Sequence, residues 1–270
     1  MRAALGAGLD RWTGSLDLGR GNDPVQLAPA VWRWRGHDYP WPSSLRERAI
    51  HYWDGAAFVV AQRYDRALIK LVPTPWGAPT FEIDGIKMLP TSQMSPVTDA
   101  QRKVALVAPP GKTVLDTCGG LGYFARAACE AGAMRVVSFE KSPDVLWLRS
   151  LNPWSPDPAD PALTARLQVE QRDIASHIAT LPSASFDAAL HDPPRFSIAG
   201  ELYAQAFYDE LARVLRPRAL LFHYTGAPNA RSHGRDLPAE VMRRLQRAGL
   251  SGRRMFDGVL ARREPRVPAR

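Results

Sequence analysis

Cysteine is scarce: Cys118 and Cys129 are the only two in 270 residues. Two thiols without a matching His/Cys cluster exclude a disulfide scaffold and a cysteine-rich zinc module, and no metal is expected. Long apolar runs are missing as well. Nothing approaches the roughly 20 apolar residues of a membrane span. The opening MRAALGAGLDRW has only a short, weakly apolar stretch before Asp10 and Arg11, too short for the core of a signal peptide. The expectation is a soluble, cytoplasmic protein with no membrane partner. Lysine is absent from Leu211–Arg270, where 14 arginines face 4 acids, a surplus of +10 that leaves the first 210 residues at −2. That arginine excess reads either as a surface for RNA or another acidic partner, or as solvated helix faces. The second reading is preferred, because no aromatic interleaving and no RNA-module signature accompany the arginines. A small-molecule substrate is therefore expected ahead of nucleic acid, with the oligomeric state left open.

What is present is an α/β pattern. At 45% hydrophobic and 23% charged residues, the chain suffices for one full α/β domain and an appendage of under 100 residues. Residues 1–55 read as irregular and Trp-rich (Trp12, Trp32, Trp34, Trp41 and Trp53), with one short helix at Ser43–His51. A small antiparallel unit follows over 56–92, from strands Ala57–Gln62, Ala67–Val72 and Thr80–Met88, the last folded at Asp84-Gly85. Asp99–Leu106 reads as a helix leading into the main domain. From Lys112, strands at Thr113–Asp116, Arg135–Glu140, Leu167–Glu170, Phe186–His191 and Ala219–Tyr224 alternate with helices at Gly122–Ala131, Pro143–Leu151, Ile174–Thr180, Tyr203–Leu215 and Pro238–Ala248. A last hairpin is expected near Arg253–Ala261, and Pro153–Pro161 reads as a proline-rich loop. Such alternation implies a parallel sheet with crossover helices. The boundary falls near residue 95, with 1–95 the appendage and 96–270 the main domain.

The first strand of that domain runs directly into Thr117-Cys118-Gly119-Gly120-Leu121-Gly122-Tyr123. Gly120 and Gly122 let backbone pass close to a ligand at the carboxyl edge of the sheet. The second strand ends in Glu140, 18 residues beyond Gly122 and followed by Lys141, suited to hold the two hydroxyls of a ribose. The third is followed by Asp173-Ile174, where an acid could accept a hydrogen bond from an adenine amino group. A nicotinamide or flavin site would need the G-x-G-x-x-G spacing that this chain lacks. The bland alternative is an ordinary tight strand-to-helix turn.

The fourth strand delivers His191-Asp192-Pro193-Pro194-Arg195-Phe196-Ser197 to the same edge. A carboxylate and a proline carbonyl accept the hydrogens of an amine, and the prolines hold that geometry. His191 reads either as a general base or as a strand-end histidine satisfied by backbone. Arg195 reads as a carboxylate fork or as a solvated loop residue. Ser197 and Tyr203 fall within reach of the pocket, or cap and pack. Asn152 is placed to bind cofactor or to end a helix before Pro153, and Tyr224 points to the catalytic edge if the strand register holds. No acidic cluster of the kind a polyamine would require is visible near this clamp, which argues against aminopropyl transfer.

Val114–Gly122 resembles the D-x-G-x-G-x-G pattern of class I S-adenosylmethionine-dependent methyltransferases, with Cys118 in place of the first glycine. The resemblance implies a Rossmann-like methyltransferase fold, with Asp116, Gly120 and Gly122 lining the methionine part of the cofactor, Glu140 the ribose and Asp173 the adenine. His191–Ser197 resembles the D/N-P-P-aromatic motif of N-methyltransferases, its aromatic, Phe196, displaced one place by Arg195. FEIDGIKM (Phe81–Met88), VLDTCGGLGY (Val114–Tyr123), LNPWS (Leu151–Ser155), HDPPRFSIAGELY (His191–Tyr203), LFHYTG (Leu221–Gly226) and GRDLP (Gly234–Pro238) together resemble a family of predicted, chiefly archaeal methyltransferases. The chain is also similar to azetidine-2-carboxylate synthases, enzymes of this fold that cyclise S-adenosylmethionine on itself and release methylthioadenosine. The resemblances thus imply methyl transfer to an amine or, nearly level with it, cyclisation as in bacterial secondary metabolism, with RNA or protein methylation third. The Trp-rich segment reads as a lid giving cation–π contacts to a sulfonium, or as the core of its own small unit.

Overall fold

The structure, a computed structural model, describes residues 1–89, 91–226 and 236–265. Gly234 and Arg235 of the GRDLP block, and four of the C-terminal arginines, lie outside the described residues. The chain forms two compact units, Met1–Pro96 with Ser150–Trp154, and Val97–Arg149 with Ser155–Arg270. Among the described residues no helix is long and apolar enough to cross a membrane.

The first unit is built from short strands. After α1 (Arg2–Gly6), strands β1 (Arg11–Gly14), β2 (Asp23–Leu27), β3 (Val31–Trp34) and β4 (His37–Pro40) form an antiparallel meander in sequence order. The segment expected to be irregular is thus a sheet. Its strands are four or five residues long, and the turn between β3 and β4 is Arg35-Gly36, both with positive φ (47° and 82°). A non-glycine residue leading such a turn hides it from a composition scan. Trp32 stacks between Tyr39 (4.6 Å) and Phe58 (5.7 Å), which places these aromatics in the core of this unit. The unit also has a half-open pocket of about 610 Å³ lined in large part by Trp32, Trp34, Tyr39, Trp41, Trp53 and Phe58.

Ser43–His51 is not a helix. Arg48 turns left-handed (φ 55°), the Arg46 N–H donates to Nε2 of His51, and β5 (His51–Trp53) begins there. The strand expected at Ala57–Gln62 is divided at buried Ala61. Its first part, β6 (Phe58–Val60), pairs with β5, and β7 (Gln62–Tyr64) pairs with β8 (Leu68–Val72) in another sheet. That sheet continues through β9 (Thr80–Ile83) to β10 (Ile86–Lys87), with Asp84 and Gly85 at φ 48° and 77° in the two-residue turn the sequence predicts.

The second unit carries a seven-stranded sheet. Helix α2 (Pro96–Leu106) leads into β11 (Thr113–Asp116), α3 (Tyr123–Glu130), β12 (Arg135–Phe139), α4 (Pro143–Leu151), the short α5 (Pro161–Thr164) and β13 (Leu167–Glu170). There follow α6 (Ile174–His177), β14 (Phe186–His191), α7 (Gln205–Val214), β15 (Leu215–Tyr224), α8 (Leu237–Arg247), β16 (Leu250–Met255) and β17 (Gly258–Arg263). The strand order is β13-β12-β11-β14-β15-β17-β16, with β17 alone antiparallel to the strand it joins in the parallel block. Central strands such as Val114-Leu115 and Ala188-Ala189-Leu190 are apolar on both faces, because helices cover both sides of a parallel sheet. Chain order reverses between β11 and β14, and their carboxyl ends adjoin, the Thr117 N–H donating to the Leu190 carbonyl at 3.1 Å. That reversal opens the crevice where open α/β sheets bind ligands.

Candidate active site

The turn after β11 is set by close packing. A Cβ on Gly119 would lie 2.4 Å from the Ser138 hydroxyl, and one on Gly122 2.6 Å from the Arg149 guanidinium. Gly122 also sits at φ 82° immediately before α3, a conformation glycine adopts without penalty. Asp116 holds the turn from beneath. Its Oδ2 accepts from the Ser138 hydroxyl at 2.8 Å, and burial pushes its carboxyl up to about 6 despite that bond and the nearby Arg149. The Cys118 backbone N–H also acts to lower that value.

Glu140, just beyond β12, accepts the Gly120 N–H on Oε2 (3.0 Å) and the Ser142 N–H on Oε1 (2.8 Å). An ionised carboxylate has about four lone-pair sites, so each oxygen keeps one for a diol. Asp173 caps α6 by accepting the Ala175 N–H, and its other oxygen lies 3.7 Å from Lys141. These residues fit a nucleoside whose ribose meets Glu140 and whose chain passes over the glycine turn.

The second motif brings Asp192 to the adjoining edge. Burial pushes its carboxyl up to about 7, with Lys103 pulling it down and Asp99, Asp257 and Asp116 pushing it further up. Pro193 is buried beside it, and the Pro194 carbonyl accepts from the Tyr203 hydroxyl at 3.1 Å. Tyr203 rests edge-on to Phe196, centroids 5.6 Å apart. The Pro193 carbonyl and the Asp192 carboxylate are thereby held on a loop braced from the core.

Around Asp192 the structure overturns one expectation. An acidic cluster is present: Asp99 of α2 and Asp257 of the turn between β16 and β17 join Asp192 within electrostatic reach. It escapes a sequence scan because its carboxylates come from three distant segments, and because a lysine is seated among them. Lys103 Nζ lies 2.7 Å from Asp99, 3.1 Å from Asp257 and 4.2 Å from the ring centroid of Tyr224. The only signal available in the sequence was the i, i+4 spacing of Asp99 and Lys103 on one helix face. Arg149, buried beneath the glycine turn with electrostatic ties to Asp116 and Glu140, was likewise not anticipated.

Most of the remaining expected residues are buried. His191 is fully buried, its Nδ1 2.7 Å from the Thr117 hydroxyl and its Nε2 3.1 Å from the Leu202 carbonyl. Since the carbonyl only accepts, Nε2 carries the proton and Nδ1 accepts from Thr117. Burial and neighbouring His223 hold its pKa well below the ordinary value, so a base role does not fit and the strand-end reading stands. Thr117 is committed to the same bond. Cys118 stays a thiol, because burial and the carboxylates of Glu140, Asp116 and Asp192 push its pKa up. Asp116 is fully buried and reaches a ligand only through the turn it holds. Ile174 and Tyr123 are buried, Ile174 packing in the main core. Phe196 is 48% exposed and Ser197 is exposed as well. Tyr224 is the last residue of β15, and Lys103 Nζ lies over its ring. Asn152 belongs to the first unit, where its Oδ1 accepts the Trp154 N–H.

The sheet order and the crevice between β11 and β14 decide the fold class. The second unit has the Rossmann-like methyltransferase fold. No family model matches the chain. A protein of Methanocaldococcus jannaschii described as "Uncharacterized protein MJ1233" is 41% identical over 197 residues, 73% of this chain. The chain spans 66% of that relative's length. Among solved structures, a spermidine synthase in complex with the transition-state analogue AdoDATO superposes with a TM-score of 0.58 at 16% identity, over 75% of this chain and 72% of that one. Spermidine synthase from Thermotoga maritima gives 0.56 at 14% identity, over 94% and 79%. These likenesses establish a shared fold.

Proposed function

We propose that this chain is an S-adenosylmethionine-dependent enzyme that transfers a methyl group to the amine nitrogen of a small molecule. The observation that carries the reading is Asp192: a carboxylate with a pKa raised by burial to about 7, on a proline-stiffened loop, beside a glycine turn and a diol-binding acid. A base is most effective when its pKa lies near the working pH. Glu140 binds the ribose hydroxyls, the turn from Cys118 to Gly122 accommodates the methionine part, and Asp173 meets the adenine. When bound, S-adenosylmethionine supplies a sulfonium-activated carbon. Asp192 and the Pro193 carbonyl accept the acceptor's N–H hydrogens and aim its lone pair. As the N–C bond forms and the C–S bond breaks, Asp192 takes the proton.

A second reading has the same residues hold the cofactor's own α-amino group, giving azetidine-2-carboxylate and methylthioadenosine. It draws support from the likeness to spermidine synthases, proteins named for making a polyamine and not for methylation. Mass spectrometry of protein incubated with S-adenosylmethionine, alone and with an amine panel, tests both readings. S-adenosylhomocysteine dependent on an amine supports the first. Methylthioadenosine with azetidine-2-carboxylate from cofactor alone replaces it with the second. Neither product under any condition sinks both.

A further inference from the structure

Lys103 is 1% exposed, and nothing in the proposed chemistry uses it. Burying an ammonium costs several kcal/mol unless it is paired and hydrogen-bonded. Here the pairing is thorough. Asp99 and Asp257 flank Nζ at 2.7 and 3.1 Å, the Tyr224 ring lies 4.2 Å away, and Phe124 and Phe222 lie at 6.0 Å. Burial acts to lower the lysine's pKa, but the charges of Asp192, Asp99 and Asp257 outweigh it and raise the value, so the ammonium stays charged. The surroundings also offer more acceptor than one lysine uses: Oδ1 of Asp257 is buried with no partner among the described residues. Carboxylates converging over an aromatic ring make a seat for a primary alkylammonium.

We propose that Lys103 is a specificity-determining residue. Its ammonium fills the alkylammonium seat beside Asp192, so the site rejects diamines and polyamines and accepts an acceptor with a single amine. A diamine would have to place its distal ammonium where Nζ already sits, adding a positive charge to an occupied seat. This inference rests on the reading that Asp192 receives an amine, and it names the class of amine.

Lys103→Ala deletes three methylenes and the ammonium, the equivalent of n-propylamine. Isothermal titration calorimetry with n-propylamine and 1,3-diaminopropane is therefore the test, with n-propanol as the uncharged control. The expected result is that Lys103→Ala binds both amines at least about tenfold more tightly than the unmodified protein does and ignores n-propanol. Should Lys103→Ala fold only with amine present, Lys103→Ala/Asp99→Asn, which carries one uncompensated carboxylate fewer, replaces it in the same titration. A folded variant with no gain over the unmodified protein overturns the proposal, as does binding of n-propanol equal to that of n-propylamine. Binding needs no turnover. A positive titration without methylated product would therefore leave this seat intact and remove only the methyl-transfer reading.

Discussion

The hydroxyl of Tyr203 donates to the carbonyl oxygen of Pro194 at 3.1 Å, tying the loop that carries Asp192 to a core residue eleven positions on. Through this bond the core decides where the neighbouring Pro193 carbonyl points. Tyr203→Phe should therefore lower kcat about tenfold, the cost of roughly 1.4 kcal/mol of lost positioning, with cofactor affinity unchanged. The stability cost should be about 1 kcal/mol, one hydrogen bond. Steady-state kinetics beside cofactor titration checks this, and loss of cofactor binding in step with kcat would contradict it.

Asp192 should govern the pH–rate profile. With its pKa raised to about 7, activity should climb as pH rises through 7 and level off above. Asp192→Asn should reduce turnover by about 10²–10⁴-fold and erase that limb. His191→Gln should leave the limb in place and show its effect in thermal melting, because both imidazole nitrogens are spent on Thr117 and Leu202. A limb that moves with His191 and not with Asp192 would exchange their roles.

The same carboxyls predict a stability trend opposite to the activity trend. The folded-state pKa values of Asp116, about 6, and Asp192, about 7, lie above the ordinary 3.8. Between those limits the folded protein binds more protons than the unfolded chain, so these two groups make stability fall as pH rises from about 4 to 7. Chemical denaturation across that range should show Asp192→Asn flattening part of the fall and gaining stability relative to the parent at pH 8. An unchanged slope in the variant would mean that Asp192 does not titrate there.

Cofactor binding should separate from the clamp. Glu140→Ala should weaken S-adenosylmethionine about tenfold or more in a calorimetric titration while Asp192→Ala leaves it near the parent value. Gly122→Ala should lose binding and stability together, because the new methyl meets the Arg149 guanidinium at 2.6 Å at a φ of 82°. Equal loss of binding in Asp192→Ala and Glu140→Ala would move Asp192 into the cofactor site.

Much of the second unit was legible in the chain. Apolar runs such as Thr113–Asp116 and Phe186–His191 are strands because both faces are covered, and alternation with helices made the sheet parallel. Asp84-Gly85 announced its hairpin through local turn chemistry alone. Arg35-Gly36 did not, since arginine at positive φ is tolerated only when the flanking strands demand it. Ala61 shows the same limit: a continuous apolar run changes sheets there, a choice made by which neighbours it meets.

By itself the sequence determined the order of strands and helices in the second unit, the glycine turn with Glu140 downstream, and the Asp192-Pro193-Pro194 loop. Each is local: periodicity, turn preference and spacing act over a few residues. Tertiary structure alone decided that His191 is a neutral core residue and that Asp99, Asp192 and Asp257 converge on Lys103. Charge and burial of this kind depend on pairs such as Thr117 with His191 and Asp192 with Asp257, each more than 60 positions apart along the chain, and only the folded sheet brings them together.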